Sequence, residues 1–83
     1  MDPKTSTLDL LPLGCPALIQ ATGGEDALRY RLMEMGLVPG TPVQVVKVAP
    51  LGNPLDLKVR DHYLSLRKEE ARLIQVIPAP TAS

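Results

Sequence analysis

Few residues of this chain can do chemistry, and their types already limit what it can be. It has one cysteine, Cys15, and one histidine, His62. A single thiol excludes an internal disulfide and any zinc site built on a cysteine pair. Cys15 sits between Gly14 and Pro16 with no base near it in the sequence, so it reads as a small filler or turn residue and not as an activated nucleophile. A single histidine excludes a multi-histidine metal site within one chain. Asp61-His62 is the only adjacent pair with ligand chemistry, and a borderline transition metal wants several N and O donors in fixed geometry. The expectation is therefore no bound cofactor and no metal site within one chain. Weak or intermolecular metal binding through His62 stays open, because each copy would then supply only part of the shell. No nucleophile with its base, and no paired carboxylates, stand out, so the chain does not read as an enzyme.

The charged residues are as sparing. Nine basic residues balance nine acidic ones, without the basic excess of a dedicated nucleic-acid binder. Two tyrosines are the only aromatics, which argues against a base-stacking platform. Gly23-Gly24 precedes a helical stretch, but no Lys-Ser/Thr follows as in a phosphate loop. Lys58, Arg60, Arg67 and Lys68 could gather into a basic strip; with Asp56, Glu69 and Glu70 interleaved, the bland alternative is a solvated face.

The elements that must position these residues follow from pattern. The chain, 83 residues long, holds one small domain. Its longest uncharged stretch, 10–24, is 15 residues with two prolines and three glycines. A membrane-spanning helix needs about 20 apolar residues, and no cationic start leads into an apolar run. The expectation is a cytoplasmic protein without membrane insertion. Residues 1–7 read as a loose N-terminus, 8–77 as the folded domain and 78–83 as a frayed tail. Residues 8–10 can form a helical turn stopped by Pro12 and Gly14, and 17–21 a short strand. Residues 25–35 form the one good helix: Leu28, Leu32 and Met35 make one apolar stripe, and Gly36-Leu37 suits a left-handed cap. Val38-Pro39-Gly40-Thr41 suits a type II turn. Residues 42–49 form a strand in which a bulge near Val45-Val46 would turn all four valines to one core. Leu55, Leu57 and Val59 alternate with Asp56, Lys58 and Arg60, the pattern of a half-buried strand. Asp61-His62 is the expected turn into a strand at 63–66. Residues 67–71 suit one helical turn and 73–77 a last strand. One helix and about five short strands, one of them bent, make a mainly β fold, a small barrel.

Three motifs in this order carry a family resemblance. Residues 31–41, Arg-Leu-Met-Glu-Met-Gly-Leu-Val-Pro-Gly-Thr, resemble the RL-x-x-M-G-L-x-P-G core of FeoA proteins. Residues 48–55, Val-Ala-Pro-Leu-Gly-Asn-Pro-Leu, resemble that family's V-A-P-x-G-x-P hairpin, and 64–71, Leu-Ser-Leu-Arg-Lys-Glu-Glu-Ala, its LSLR-x-x-EA stretch. The resemblance spans 8–77. It implies an SH3-like barrel with one inserted α-helix, related to the C-terminal domain of DtxR-type metal-dependent repressors. It also implies a cytoplasmic accessory role in bacterial ferrous-iron uptake, with FeoB, a permease carrying a G domain, as partner, and transition-metal binding among the family's attributes.

On that reading the leading expectation is a non-catalytic interaction module. One alternative is a GTPase activator, which would insert an arginine in trans beside the transferring phosphate; Arg29, Arg31 and Arg67 are the candidates. The other is a direct Fe²⁺ binder. Tyr30 and Met33 fall on the outward side of the helix beside Arg29, and either pack on a neighbouring loop or form a partner surface. Leu51 is the one bulky apolar residue in the tip formed by residues 50–54. The expected partner-binding set is therefore Arg29, Tyr30, Met33, Leu51, Arg60 and Arg67, with a weak homo-oligomer left open.

Overall fold

The computed structural model describes residues 6–79. Its strands are β1 (Ser6–Thr7), β2 (Ala17–Thr22), β3 (Pro42–Val48), β4 (Leu55–Val59), β5 (His62–Leu66) and β6 (Ile74–Pro78). They form one antiparallel sheet in the order β1-β6-β2-β3-β4-β5. A 3-10 turn at Leu8–Leu10, helix α1 (Asp26–Glu34) and the one-turn helix α2 (Lys68–Ala71) complete the fold. The alternation read in β4 holds: Leu55, Leu57 and Val59 are buried. They share one core with Val43 and Val45 of β3, Ile74 and Val76 of β6, and with Leu8, Leu32, Leu37 and Leu66. The 3-10 turn lies against α2, and each contributes a fully buried residue, Leu8 and Ala71.

Helix α1 ends as its sequence dictates. Gly36 stands at φ +93°, its N–H donates to Met33 O at 3.0 Å, and the Leu37 N–H donates to Leu32 O at 3.1 Å. These two bonds are the Schellman pair, and buried Leu37 supplies the apolar contact that accompanies it. Of the apolar stripe, Leu32 is fully buried, while Leu28 and Met35 are half-buried against the core. The type II turn follows: Thr41 N–H donates to Val38 O at 3.1 Å, with Gly40 at φ +88°. Ile19 and the turn exchange bonds, Gly40 N–H to Ile19 O at 2.7 Å and Ile19 N–H to Thr41 O at 3.0 Å. The end of α1 is thereby tied to β2.

Four expectations need correction. Ser6 and Thr7, expected to be loose, pair with Val76 and Gln75, making a sixth strand; the remainder of that segment, 1–5, lies outside the described residues. Pro78, assigned to the tail, ends β6 opposite Ala17, and 80–83 lie outside the described residues. The β3 bulge is real, with the register shifting between Val45 and Lys47, but it does not turn four valines inward. Val46 is the extra residue without a ladder partner and is 37% exposed; Val48, at the last position of the strand, is 44% exposed. The β4–β5 turn is Arg60-Asp61, one residue earlier than read, because Val59 pairs with His62 and Arg60 takes the left-handed conformation, φ +58°.

Candidate functional site

The expected partner residues fall into two places. Tyr30 and Met33 project from α1 and remain 60% and 40% exposed. Arg29, beside them, is held by Asp26 at 2.9 Å. Arg31 pairs with Glu70 of α2. Glu70 in turn accepts from the Arg67 backbone N–H through Oε1 at 3.0 Å, capping α2. The next backbone N–H, of Lys68, donates to Asn53 Oδ1 at 2.5 Å. A continuous polar chain therefore ties α1, α2 and the tip of the β3–β4 hairpin together. Arg67 is exposed at this junction, and Leu51 stands at the tip with 96% of its surface in solvent. Arg60 belongs elsewhere. It sits at the β4–β5 turn beside a small surface pocket lined by Pro16, Pro42, Gln44 and Lys58.

The outer face of the sheet carries side chains the sequence reading passed over. Tyr63 of β5 is 68% exposed and lies opposite Lys58 in register. With Val46, Lys47, Asp56, Leu64 and Ser65 it lines an open groove of about 530 Å³. Ser65 Oγ donates to Asp56 Oδ1 at 2.6 Å across the two strands. The signal for Tyr63 was present: in 63–66 the polar positions alternate with Leu64 and Leu66, which puts Tyr63 on the solvent side of any strand there. Leu10 and Leu13, also exposed, carried no such signal.

The metal candidates are dispersed. His62 begins β5, with Nε2 3.3 Å from the Met35 carbonyl at the end of α1 and Nδ1 3.9 Å from Asp61 Oδ1. Cys15 is exposed and free. Among the described residues no three His, Cys, Asp or Glu side chains gather as a metal cluster, and no helix is long and apolar enough to cross a membrane. Of the arginines considered for action in trans, Arg29 and Arg31 are engaged in ion pairs.

Comparison with known proteins places this geometry. The family model of the FeoA domain matches residues 6–78. A fusion protein of Fe(2+) transport protein A and the Fe(2+) transporter FeoB from Porphyromonas gingivalis is 39% identical over 69 residues, which is 83% of this chain and 8% of the fusion. The solution structure of FeoA from Chlorobium tepidum superposes with a TM-score of 0.85 at 33% identity, covering 94% of this chain and 74% of that one. The crystal structure of Stenotrophomonas maltophilia FeoA complexed with zinc, described as an SH3 domain protein, superposes with a TM-score of 0.75 at 35% identity, over 86% of this chain and 88% of that one. A manganese-dependent transcriptional repressor, 11% identical, shares the fold with a TM-score of 0.84. The fold is thus the SH3-like one with an inserted helix, and the chain belongs to the FeoA family.

Proposed function

We propose that this chain is a non-catalytic cytoplasmic accessory module of ferrous-iron uptake that docks on the cytoplasmic region of an FeoB-type permease. The observation that carries the reading is the fusion relative, in which a domain 39% identical to this one shares a polypeptide with the transporter. Covalent linkage raises the effective concentration of two modules and is useful where they must meet. The surface supports a binding role. Leu51, Tyr30 and Met33 are exposed apolar bodies, with Arg29 and Arg67 beside them and Arg60 on a separate face. Apolar anchors of this kind carry affinity, and rim charges set rate and orientation. The test is titration of the purified domain with the permease's soluble cytoplasmic region, reading binding and GTP turnover together. Saturable binding with unchanged turnover is expected. No binding would overturn the docking reading, and a large rise in turnover would replace the non-catalytic role with GTPase activation.

A further inference from the structure

The free edge of the sheet has the features of a receptor for an added strand. Among the described residues β5 pairs with β4 on one side only and ends the strand order. Which of its backbone groups face outward follows from one bond. Arg60 N–H donates to Pro42 O at 3.0 Å, so Val43 and Val59, opposite each other in register, are a non-hydrogen-bonded pair. Alternation then turns the Val59 N–H and C=O toward His62, its partner on β5. His62, Leu64 and Leu66 consequently face β4 with their backbone groups, and Tyr63 and Ser65 face away. The N–H and C=O of Tyr63 and Ser65 are without partners among the described residues.

Grooves lie on both sides of this edge. On the outer face is the groove of about 530 Å³ bearing Val46, Lys47 and Tyr63. On the inner side, between β5 and the end of α1, is a second of about 340 Å³, lined by Met35, Gly36, His62 and Leu64 with Glu34 at its rim. Leu64 lines both. A strand laid on β5 would point successive side chains alternately into the two grooves. The groove chemistry specifies them. The outer face holds Lys47, Lys58 and the nearby Arg60, none of them in an ion pair among the described residues; its carboxylate Asp56 is engaged by Ser65. The inner groove is mostly apolar.

We propose that the β5 edge accepts an extended segment of a partner polypeptide, paired to Tyr63 and Ser65, with acidic side chains on the Lys47–Lys58 side and apolar ones toward Met35 and Leu64. This is strand addition, in which main-chain bonds supply affinity and alternate pockets supply specificity. A second copy of the chain is a poorer occupant, because edge-to-edge pairing would carry both sets of cations onto one continuous face. The partner reading rests on the permease association above, so the experiment separates the two.

The domain is titrated with the permease's soluble cytoplasmic region while amide exchange is followed residue by residue. Protection of the Tyr63 and Ser65 amides is expected. Ser65→Pro removes an outward N–H that does not serve β4, and Lys58→Glu, at a position that faces the neutral Gln44 and Tyr63 in register, reverses the outer charge beside the edge; each should weaken binding about tenfold, with the unfolding midpoint of Lys58→Glu unchanged. Tight binding with these amides unprotected and Lys58→Glu equal to wild type overturns the edge proposal and leaves the association standing. If the permease region does not bind, the association fails, and a capped peptide of alternating aspartate and valine, about eight residues long, decides the edge. Saturable shifts confined to β5 and the two grooves support the proposal, and their absence overturns it. A dimer dissolved by Ser65→Pro would also overturn it, in favour of a second copy.

Discussion

Two glycines allow the backbone and the contacts around it to be weighed separately. Gly36 and Gly40 both have left-handed φ, +93° and +88°, but their surroundings differ. A Cβ on Gly40 would meet nothing within 4 Å, whereas one on Gly36 would lie 3.4 Å from His62 Cε1 and 3.9 Å from Val59 Cγ1. A side chain in the left-handed region costs about 1–2 kcal/mol. Replacing glycine lowers the entropy of the unfolded chain and returns about 0.5–1 kcal/mol. Gly40→Ala should therefore destabilise by roughly 0.5–1 kcal/mol, which in a domain of this size lowers the melting midpoint by about 2–8 °C. The contacts at Gly36 are ordinary van der Waals separations, so Gly36→Ala should cost the same within about 0.5 kcal/mol. Thermal and urea unfolding of the two variants measure this directly. A neutral Gly40→Ala would refute the left-handed turn. A Gly36→Ala penalty about 2 kcal/mol beyond that of Gly40→Ala would mean that His62 is clamped on the end of α1 and cannot give way.

Four other outcomes follow from burial and charge. Leu32→Ala, at a fully buried position of α1, should cost about 2–5 kcal/mol in urea unfolding, a large share of what so small a domain possesses. Leu51→Ala and Met33→Ala should weaken permease binding by about 1–2 kcal/mol; at 96% exposure, Leu51→Ala should leave the unfolding midpoint in place. Arg67→Ala should have a smaller effect on the same titration, one that fades between low and high salt as the charge is screened. Arg60→Gly should unfold at or slightly above the wild-type midpoint, since glycine relieves the left-handed strain at φ +58° by about 1–2 kcal/mol and returns about half of it as chain entropy; a clear loss of stability would show that the arginine side chain itself holds the turn.

The parts of the fold legible in the sequence are those whose signals are local. Leu55, Leu57 and Val59 alternate within a single strand, and Gly36-Leu37 closes a helix through bonds to residues three and five positions back. Such features need no knowledge of the rest of the chain. The errors have physical reasons as well. A strand as short as Ser6–Thr7 carries no periodicity, and only its pairing with β6 defines it. Arg60 has none of the turn chemistry of Asn or Gly, so nothing in the sequence marked it as the left-handed residue of the hairpin. At the β3 bulge the extra residue was correctly placed, but the direction in which Val46 points is decided by the pairing of Lys47 with Asp56 across the strand, which no pattern within β3 records.

The candidate site was less legible because it is assembled over long separations. The bond from Arg31 to Glu70 joins residues 39 positions apart, and the one from Lys68 to Asn53 joins residues 15 apart; together they gather α1, α2 and the hairpin tip. Helical spacing and residue type marked Tyr30, Met33 and Leu51 as exposed apolar residues, which they are, but not that Arg60 stands at the opposite end of β4 from Leu51. The same holds for the β5 edge. Tyr63 and Ser65 look like ordinary strand residues until the order β1-β6-β2-β3-β4-β5 leaves their strand last. An unpaired edge is a liability for a soluble protein and is usually blunted by charge or cover. Here the edge is short, with Lys58 beside it and Lys47 one strand further in on the outer face, and bordered by an apolar groove on the inner one. Those cations discourage a second basic edge while leaving an acidic strand free to pair.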